Sequence, residues 1–184
     1  MSAGRLGLAE AEQLVAERLG ASPRAAHTRF VGLLLQQLAV ELGADAGLWR
    51  IVGLVHDLDY FAIDGDWSRH GVLAAGWLQG RLPDEALAAI AAHDHRTGLQ
   101  SATPIGECLR LADGLAVLDE DAGRDRTLAA LAGGSIADIV GHRPFLVEII
   151  ADTAARHGLE LAKLGRLLAG LPAQGTSDSD PMTS

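Results

Sequence analysis

Apolar residues recur every three or four positions along most of this 184-residue chain, and that spacing constrains the fold more than any other feature. In residues 8–19, for example, Leu8, Ala11, Val15 and Leu19 fall on one face of a helix. No stretch alternates apolar and polar residues as a half-buried strand does. Aromatic residues form only 4% of the chain, and small and aliphatic side chains suit closely packed helices. The sequence therefore predicts an all-α fold, a compact multi-helix bundle.

Start and stop signals divide the chain into ten predicted helices. Ser22, Asp45, Ser68 and Thr103 each precede an apolar run and are favourable N-cap residues, and Gly43 is a typical stop. An acidic, polar break is expected at 119–126. The predicted helices span about 8–19, 23–42, 46–58, 68–80, 83–93, 104–118, 127–131, 135–140, 144–157 and 159–168.

The length and hydrophobic content are those of one domain. With 48% hydrophobic residues, the chain has enough apolar material for a sizeable core. We expect a single helical domain over residues 1–171, with the core around its site at about 23–120. The tail 172–184 is poor in large apolar residues, and we predict that it is disordered.

Charge and cysteine content exclude several classes of partner. The formal net charge of −9 disfavours nonspecific binding to nucleic acid or to an anionic membrane. The single cysteine, Cys108, cannot form a disulfide within the chain, which fits a reducing compartment. No apolar stretch approaches the roughly 20 residues of a membrane span. We therefore expect a cytoplasmic protein without nucleic-acid or membrane partners, and the C-terminal helices leave a homodimer open.

Histidine and aspartate residues lie at the edges of several apolar helical runs, where a helix can hold each side chain in a fixed direction. Imidazole and carboxylate ligands suit cations such as Mn, Fe, Zn or Mg. Six groups are more than one ion usually takes, and they suffice for two ions that share a bridging carboxylate. The pattern indicates a metal-assisted hydrolytic site. The six residues are His27, His56, Asp57, His70, His93 and Asp113.

Single members of this set also have ordinary explanations. Taken alone, His27 is more typical of a helix surface, and His70 and His93 of a structural or solvated role, whereas His56-Asp57 is more informative because it ends an apolar helix. A charged Asp57 at the end of a buried helix, however, is costly unless it is paired or bound to metal. If the chain has left the helix by then, His95 either reaches the substrate or replaces His93 as a ligand; we favour His93 as the ligand. Asp59 either orients a ligand histidine or is simply a loop carboxylate.

The order of these residues, His27, His56-Asp57 and Asp113, resembles that of the HD-domain metal-dependent phosphohydrolases. The resemblance covers about residues 23–120 and is closest to a subgroup of small, stand-alone bacterial HD proteins. The segments that carry it are GLVHDLDY at 53–60, RHGVLAAGWL at 69–78, AIAAHDHRTG at 89–98 and LRLADGLAVL at 109–118.

The resemblance implies a ligand set and a cofactor. His27, His56, Asp57 and Asp113 would hold a first metal ion, Asp57 would bridge to a second, and His70 and His93 would complete the second site. The cofactor would be one or two divalent ions of Mn, Fe, Mg, Co or Zn. Asp94-His95 departs from the asparagine that is more common in the subgroup after the fourth histidine, so the local loop and its substrate contact are expected to differ.

The same resemblance implies a phosphohydrolase that acts on a nucleotide or another small phosphate ester through metal-activated water. Asp57 would be the catalytic residue that holds both ions, and Arg69, His95 and Arg96, each next to a predicted ligand, would bind the phosphate. Two alternatives remain open: an HD-fold di-iron oxygenase, and a non-catalytic binding or regulatory module. The sequence identifies neither the substrate nor the metal.

Overall fold

The computed structural model describes residues 5–174, so most of the predicted tail, 175–184, lies outside the described residues. The prediction of an all-α fold is confirmed, because residues 5–174 contain helices, turns and loops but no strand. None of these helices combines the length and the apolar character that crossing a bilayer requires. The helices are α1 (Leu8–Leu19), α2 (Pro23–Leu42), α3 (Ala46–Val55), α4 (Val72–Trp77), α5 (Asp84–Ala91), α6 (Pro104–Ala122), α7 (Arg124–Ala132), α8 (Phe145–Val147), α9 (Thr153–Arg156) and α10 (Leu161–Ala169), with a π-helical turn at Glu148–Asp152 between α8 and α9.

Three of the predicted N-caps start the helices that carry the site. Ser22 accepts a hydrogen bond from the backbone N–H of Ala25 at 3.3 Å, with Pro23 in the first helical position of α2. Asp45 accepts from the N–H of Leu48 at 3.0 Å at the start of α3. Thr103 caps α6 in the same way. Each bond satisfies an N–H group that the helix itself leaves free.

The predicted helix start at Ser68 is wrong. Asp66 instead caps a short 3₁₀ turn at Trp67–Arg69, and α4 begins only at Val72. The cause lies in Gly71, whose φ of +79° no helix interior accepts. His70 therefore sits in extended backbone between the turn and the helix rather than in a first helical turn.

Two predictions for the C-terminal half are also wrong. The sequence predicts a break at 119–126, but α6 continues to Ala122 and only Gly123 separates it from α7. Arg124 pairs with the buried Asp119 at 2.9 Å and so stabilises this end of α6. The helix predicted at 135–140 is a series of turns. Gly134, with a φ of +78°, ends the preceding helix, and the stretch that follows is too short to make a new one.

The centre of the molecule is formed by α2, α3 and α6, and α5 packs on α6. Helices α2 and α3 approach closely at Gly32 and Gly53, where a Cβ built on Gly53 would lie 2.6 Å from the Cα of Gly32. This contact fixes the far end of α3, from which the chain continues into His56 and Asp57. The buried side chains of α2, α3 and α6 include Leu34, Leu35, Leu38, Val52, Leu54, Leu109 and Leu115.

We expect Gly53→Ala to lower the free energy of unfolding by about 1–3 kcal/mol, because the added methyl group forces α2 and α3 apart. The matched control is Gly76→Ala in α4, where no atom lies within 4 Å of the added Cβ. That substitution should be neutral or stabilise the protein by about 0.5–1 kcal/mol. Chemical unfolding of both variants provides the measurement, and equal stabilities would contradict the close approach of the two helices.

Candidate metal centre

Two histidines follow directly on the ends of helices and use the carbonyl groups found there. His56 Nδ1 donates to the carbonyl oxygen of Gly53 at 2.7 Å, and His93 Nδ1 donates to that of Ile90 at 2.7 Å. The last carbonyls of a helix lack the partners that its interior carbonyls have, so they can accept these imidazole N–H groups. A proton fixed on Nδ1 leaves the lone pair on Nε2, the other ring nitrogen, free to bind a metal ion.

A carboxylate holds the third histidine of this kind. His70 Nδ1 lies 2.9 Å from Asp59 Oδ1, and Asp59 Oδ2 accepts the backbone N–H of Ala74 at 3.0 Å. Asp59 is fully buried, so its hydrogen bonds with His70 and Ala74 hold its side chain in one position. Of the two roles left open by the sequence, the structure shows the first: Asp59 orients His70.

Asp57 lies where these three rings converge. Its Oδ1 atom is 3.0 Å from His70 Nε2, 3.3 Å from His93 Nε2 and 3.4 Å from His56 Nε2. Its Oδ2 atom accepts a hydrogen bond from Arg24 Nη1 at 2.9 Å. One oxygen of the carboxylate thus faces three imidazole nitrogens, while the other is neutralised by a guanidinium group.

His27 and Asp113 close the other side of the cluster. His27 Nε2 and Asp113 Oδ1 are 2.9 Å apart, and the same oxygen lies 3.9 Å from His56 Nε2. Two ring nitrogens, His27 Nδ1 and His56 Nε2, are buried without a hydrogen-bond partner. A buried polar atom without a partner is costly, and a bound cation would remove that cost for His56.

Three sets of side chains among residues 5–174 have ligand atoms that all lie within 4.8 Å of one another, close enough to hold a metal ion. A nitrogen lone pair directed at a carboxylate oxygen is repelled unless a proton or a cation lies between them, so the arrangement fits a metal centre. Imidazole and carboxylate donors suit Mn, Fe, Co or Zn. The sets are His27, His56 and Asp57; His56, His93 and Asp113; and Asp57, His70 and His93.

Burial and neighbouring rings set the protonation of the two residues that follow α3. Burial lowers the pKa of His56 to about 4, so its Nε2 lone pair is free at neutral pH. Burial alone would raise the pKa of Asp57, but the surrounding imidazoles, His56 first and then His70 and His93, hold that pKa well below its usual range. Asp57 is therefore ionised, as a metal ligand has to be.

His70 and Asp113 also have shifted pKa values. Burial would lower the pKa of His70, but its hydrogen bonds with Asp57 and Asp59 raise that pKa to about 10. Burial would raise the pKa of Asp113, but the hydrogen bond with His27 lowers that pKa to about 2. Without a metal ion His70 is protonated at neutral pH, and a metal ion that binds its Nε2 has to displace that proton.

Gly71 allows the backbone before α4 to lie close to Ile90 and His93. A Cβ at this position would lie 2.3 Å from the carbonyl oxygen of Ile90 and 2.8 Å from His93 Nδ1. These are the two atoms that form the bond which fixes the His93 ring. No residue larger than glycine fits here, and the φ of +79° independently favours glycine.

A cavity of about 520 Å³ opens from the metal centre to the surface. Arginine side chains stack on the aromatic rings of its rim: Arg24 lies 4.1 Å above Tyr60, and Arg96 lies 3.7 Å above Trp67. Residues of α6 and residues that follow α7 also line the cavity. The remaining lining residues are Asp57, His70, His93, Asp94, His95, Arg110, Asp113, Gly114, Val117, Arg143, Phe145, Leu146 and Ile149.

The structure separates the three residues predicted to bind phosphate. Arg69 is exposed and does not line the cavity. Arg96 and His95 do line it, although Arg96 is paired with Asp94. His95 has a side chain 68% exposed and stays outside the cluster, whereas His93 is buried within it.

Sequence reasoning missed several residues of the cavity, and two of them carried a signal. Arg24 and Arg110 each precede a predicted ligand by three residues on a helix, so they share a face with His27 and Asp113 respectively. Arg143 and Phe145 had no such signal, because only the tertiary fold brings residues after α7 to the site.

The fold and the centre together define a helical protein with an internal His/Asp cluster that could hold a metal ion. The family model for the HD domain matches residues 24–118, just over half of the chain, and this range contains all six residues of the set. The chain belongs to the HD domain family. Searches of curated proteins and of solved structures gave no significant match.

We expect Asp59→Asn to weaken metal binding by about 10–100-fold, because an amide has one acceptor oxygen and cannot accept from both His70 Nδ1 and the N–H of Ala74. Asp64→Asn, an exposed position in the same loop, is the matched control and should bind metal as the wild type does. A competition titration with a chromophoric chelator and Mn²⁺ measures both affinities. Equal affinities for the two variants would contradict the orienting role of Asp59.

The raised pKa of His70 predicts the pH dependence of stability in chelator-treated protein. A folded-state pKa of about 10, above the ordinary 6.5, means that protonated His70 stabilises the fold fully below pH 6.5. That contribution is lost as the pH rises through 10. The difference in Tm between wild type and His70→Gln should therefore shrink from pH 6.5 to pH 10, and a constant difference would argue against the His70 interactions.

Proposed function

We propose that this protein is a metal-dependent phosphohydrolase that cleaves a small phosphate ester, a nucleotide or a compound of similar size. One observation carries the proposal: three imidazole Nε2 atoms converge on Oδ1 of the ionised Asp57 within 3.4 Å. Membership of the HD domain family supports it, because proteins of this family are mostly metal-dependent phosphohydrolases. The net charge of −9 favours a small-molecule substrate over nucleic acid.

In this proposal two overlapping ligand sets hold the metal. Asp57 belongs to both, which supports its role as a bridging ligand between two ions. A bound divalent ion of Mn, Fe, Mg, Co or Zn would activate water and offset the charge of the phosphate. The first set would be His27, His56 and Asp57, to which Asp113 is linked through its group with His56 and His93, and the second would be Asp57, His70 and His93.

The residues of the chain supply position and charge. Arg24 holds Asp57 Oδ2, and so keeps Oδ1 turned toward the histidines. Arg96 and His95, at the mouth of the cavity, add donors for the phosphate oxygens. In the reaction, the oxygen of water bonds to phosphorus and the bond from phosphorus to the ester oxygen breaks. One proton of the water leaves with the alcohol, and the other stays on inorganic phosphate.

The proposal is tested by elemental analysis together with phosphate release from a panel of phosphate esters in added Mn, Mg, Co or Fe. Asp57→Ala should lose the metal and lower the rate by about 100-fold or more. Asp138→Ala removes an exposed carboxylate outside the cavity and should match the wild type. Full metal content and unchanged activity in Asp57→Ala would refute the assignment.

The same experiment separates the two alternative functions. Tightly bound iron, with oxygen-dependent turnover and no phosphate release, would indicate a di-iron oxygenase. A protein that binds no metal under any of these conditions would be a non-catalytic HD module, and the phosphohydrolase proposal would fail.

A further inference from the structure

Part of the cavity lining is apolar. It is formed by one residue of α6 and by residues that follow α7, and we call it the apolar wall. Its members carry no hydrogen-bonding group in their side chains. Phe145 stands at its edge with 44% of its surface exposed, whereas Leu146 is buried. The wall consists of Val117, Phe145, Leu146 and Ile149.

The apolar wall lies directly beside the metal centre. A Cβ at Gly114 would be 3.1 Å from Ile149 Cγ2 and 3.3 Å from Leu146 Cδ2, so these side chains pack onto the backbone next to Asp113. Ile149 belongs to the π-helical turn, a geometry that is frequent at functional sites. The apolar wall therefore adjoins the backbone that carries Asp113, one of the candidate metal ligands.

Arg110 differs from the other arginines of the cavity. Arg24, Arg96 and Arg143 each pair with a carboxylate, on Asp57, Asp94 and Asp121 respectively. Arg110 has no such pair among residues 5–174. Its Nε atom, like that of Arg143, is buried without a hydrogen-bond partner. It lies one helical turn before Asp113 on α6 and lines the cavity. Its charge and its donors are thus available to an anion in the cavity.

Arg110 and the apolar wall suit different parts of a substrate. A planar guanidinium group that lacks a partner suits phosphate oxygens. The apolar wall, in contrast, offers no partner to the hydroxyl groups of a sugar, which would lose their hydrogen bonds to water on entering. An aliphatic or aromatic group gains free energy at the same place.

We propose that Arg110 binds the phosphate of the substrate and that the apolar wall takes up its alcohol part, so that the site prefers phosphate esters of apolar or aromatic alcohols to sugar phosphates. This inference rests on the proposed function, because it assigns the substrate class of the same centre. The segment 143–149 lies outside the range matched by the HD domain family, and it acts here as a specificity element.

The first test compares two non-hydrolysable probes, benzylphosphonate and methylphosphonate, by calorimetry on the Mn²⁺-loaded full chain. Both carry the same anionic group, and only benzylphosphonate has an aromatic ring for the wall. We expect benzylphosphonate to bind at least about tenfold more tightly. Equal dissociation constants would overturn the role of the apolar wall.

Two variants separate the two parts of the proposal. Phe145→Ala, at an exposed position, should remove most of the preference for benzylphosphonate and leave methylphosphonate binding unchanged. Arg110→Gln should weaken both probes by the same factor, about tenfold or more, and leave their ratio unchanged. Val40→Ala, an exposed apolar position outside the cavity, is the control and should behave as wild type. Wild-type affinities in Arg110→Gln would overturn the role of Arg110.

Val117→Thr provides a second probe of the wall that keeps the shape of the side chain and replaces a methyl group by a hydroxyl group. It should lower the preference for benzylphosphonate in a protein whose circular dichroism and Tm match the wild type. Phosphate release from phenyl phosphate and glycerol phosphate keeps the two proposals apart. Release without any benzylphosphonate preference would refute only the apolar wall, whereas no release and no phosphonate binding would refute the phosphohydrolase function as well.

Discussion

The hydrogen bonds from the Nδ1 atoms of His56, His70 and His93 determine what the centre of this protein can bind. Each bond fixes the orientation of a ring, so that three Nε2 atoms point to one carboxylate oxygen. Two of the acceptors are carbonyl groups at helix ends, which the fold provides at no further cost. Only the third acceptor, Asp59, is a side chain dedicated to this purpose.

Such a centre opposes the stability of the fold that contains it. Asp57 is ionised and buried, and it is surrounded by rings that are themselves removed from water. Arg24 compensates for one of its two oxygens, and a proton or a metal ion has to compensate for the other. The tightly packed contact between α2 and α3 at Gly32 and Gly53 stabilises the fold around this buried charge. The packing of the helices thus offsets the unfavourable free energy of the buried charge at the centre.

The sequence predicts the elements and the ligand set better than it predicts the walls of the cavity. Apolar periodicity and N-caps such as Ser22 and Asp45 act locally, so helices α1 to α3 could be predicted closely. The start of α4 could not, because it depends on the backbone of Gly71 and its contact with His93. The bond between Arg24 and Asp57 joins residues 33 positions apart, and only tertiary packing creates it.

The ligands and the apolar wall occupy separate stretches of sequence. All six ligand candidates lie before residue 114, whereas three of the four wall residues lie after residue 144. A mutation at the exposed Phe145 in the later stretch changes the cavity without replacing a ligand or a residue that orients one. Selection can therefore act on the occupant of the cavity and on the metal centre independently, and descendants of one ancestral centre can diverge in what they admit while they keep the same ligands.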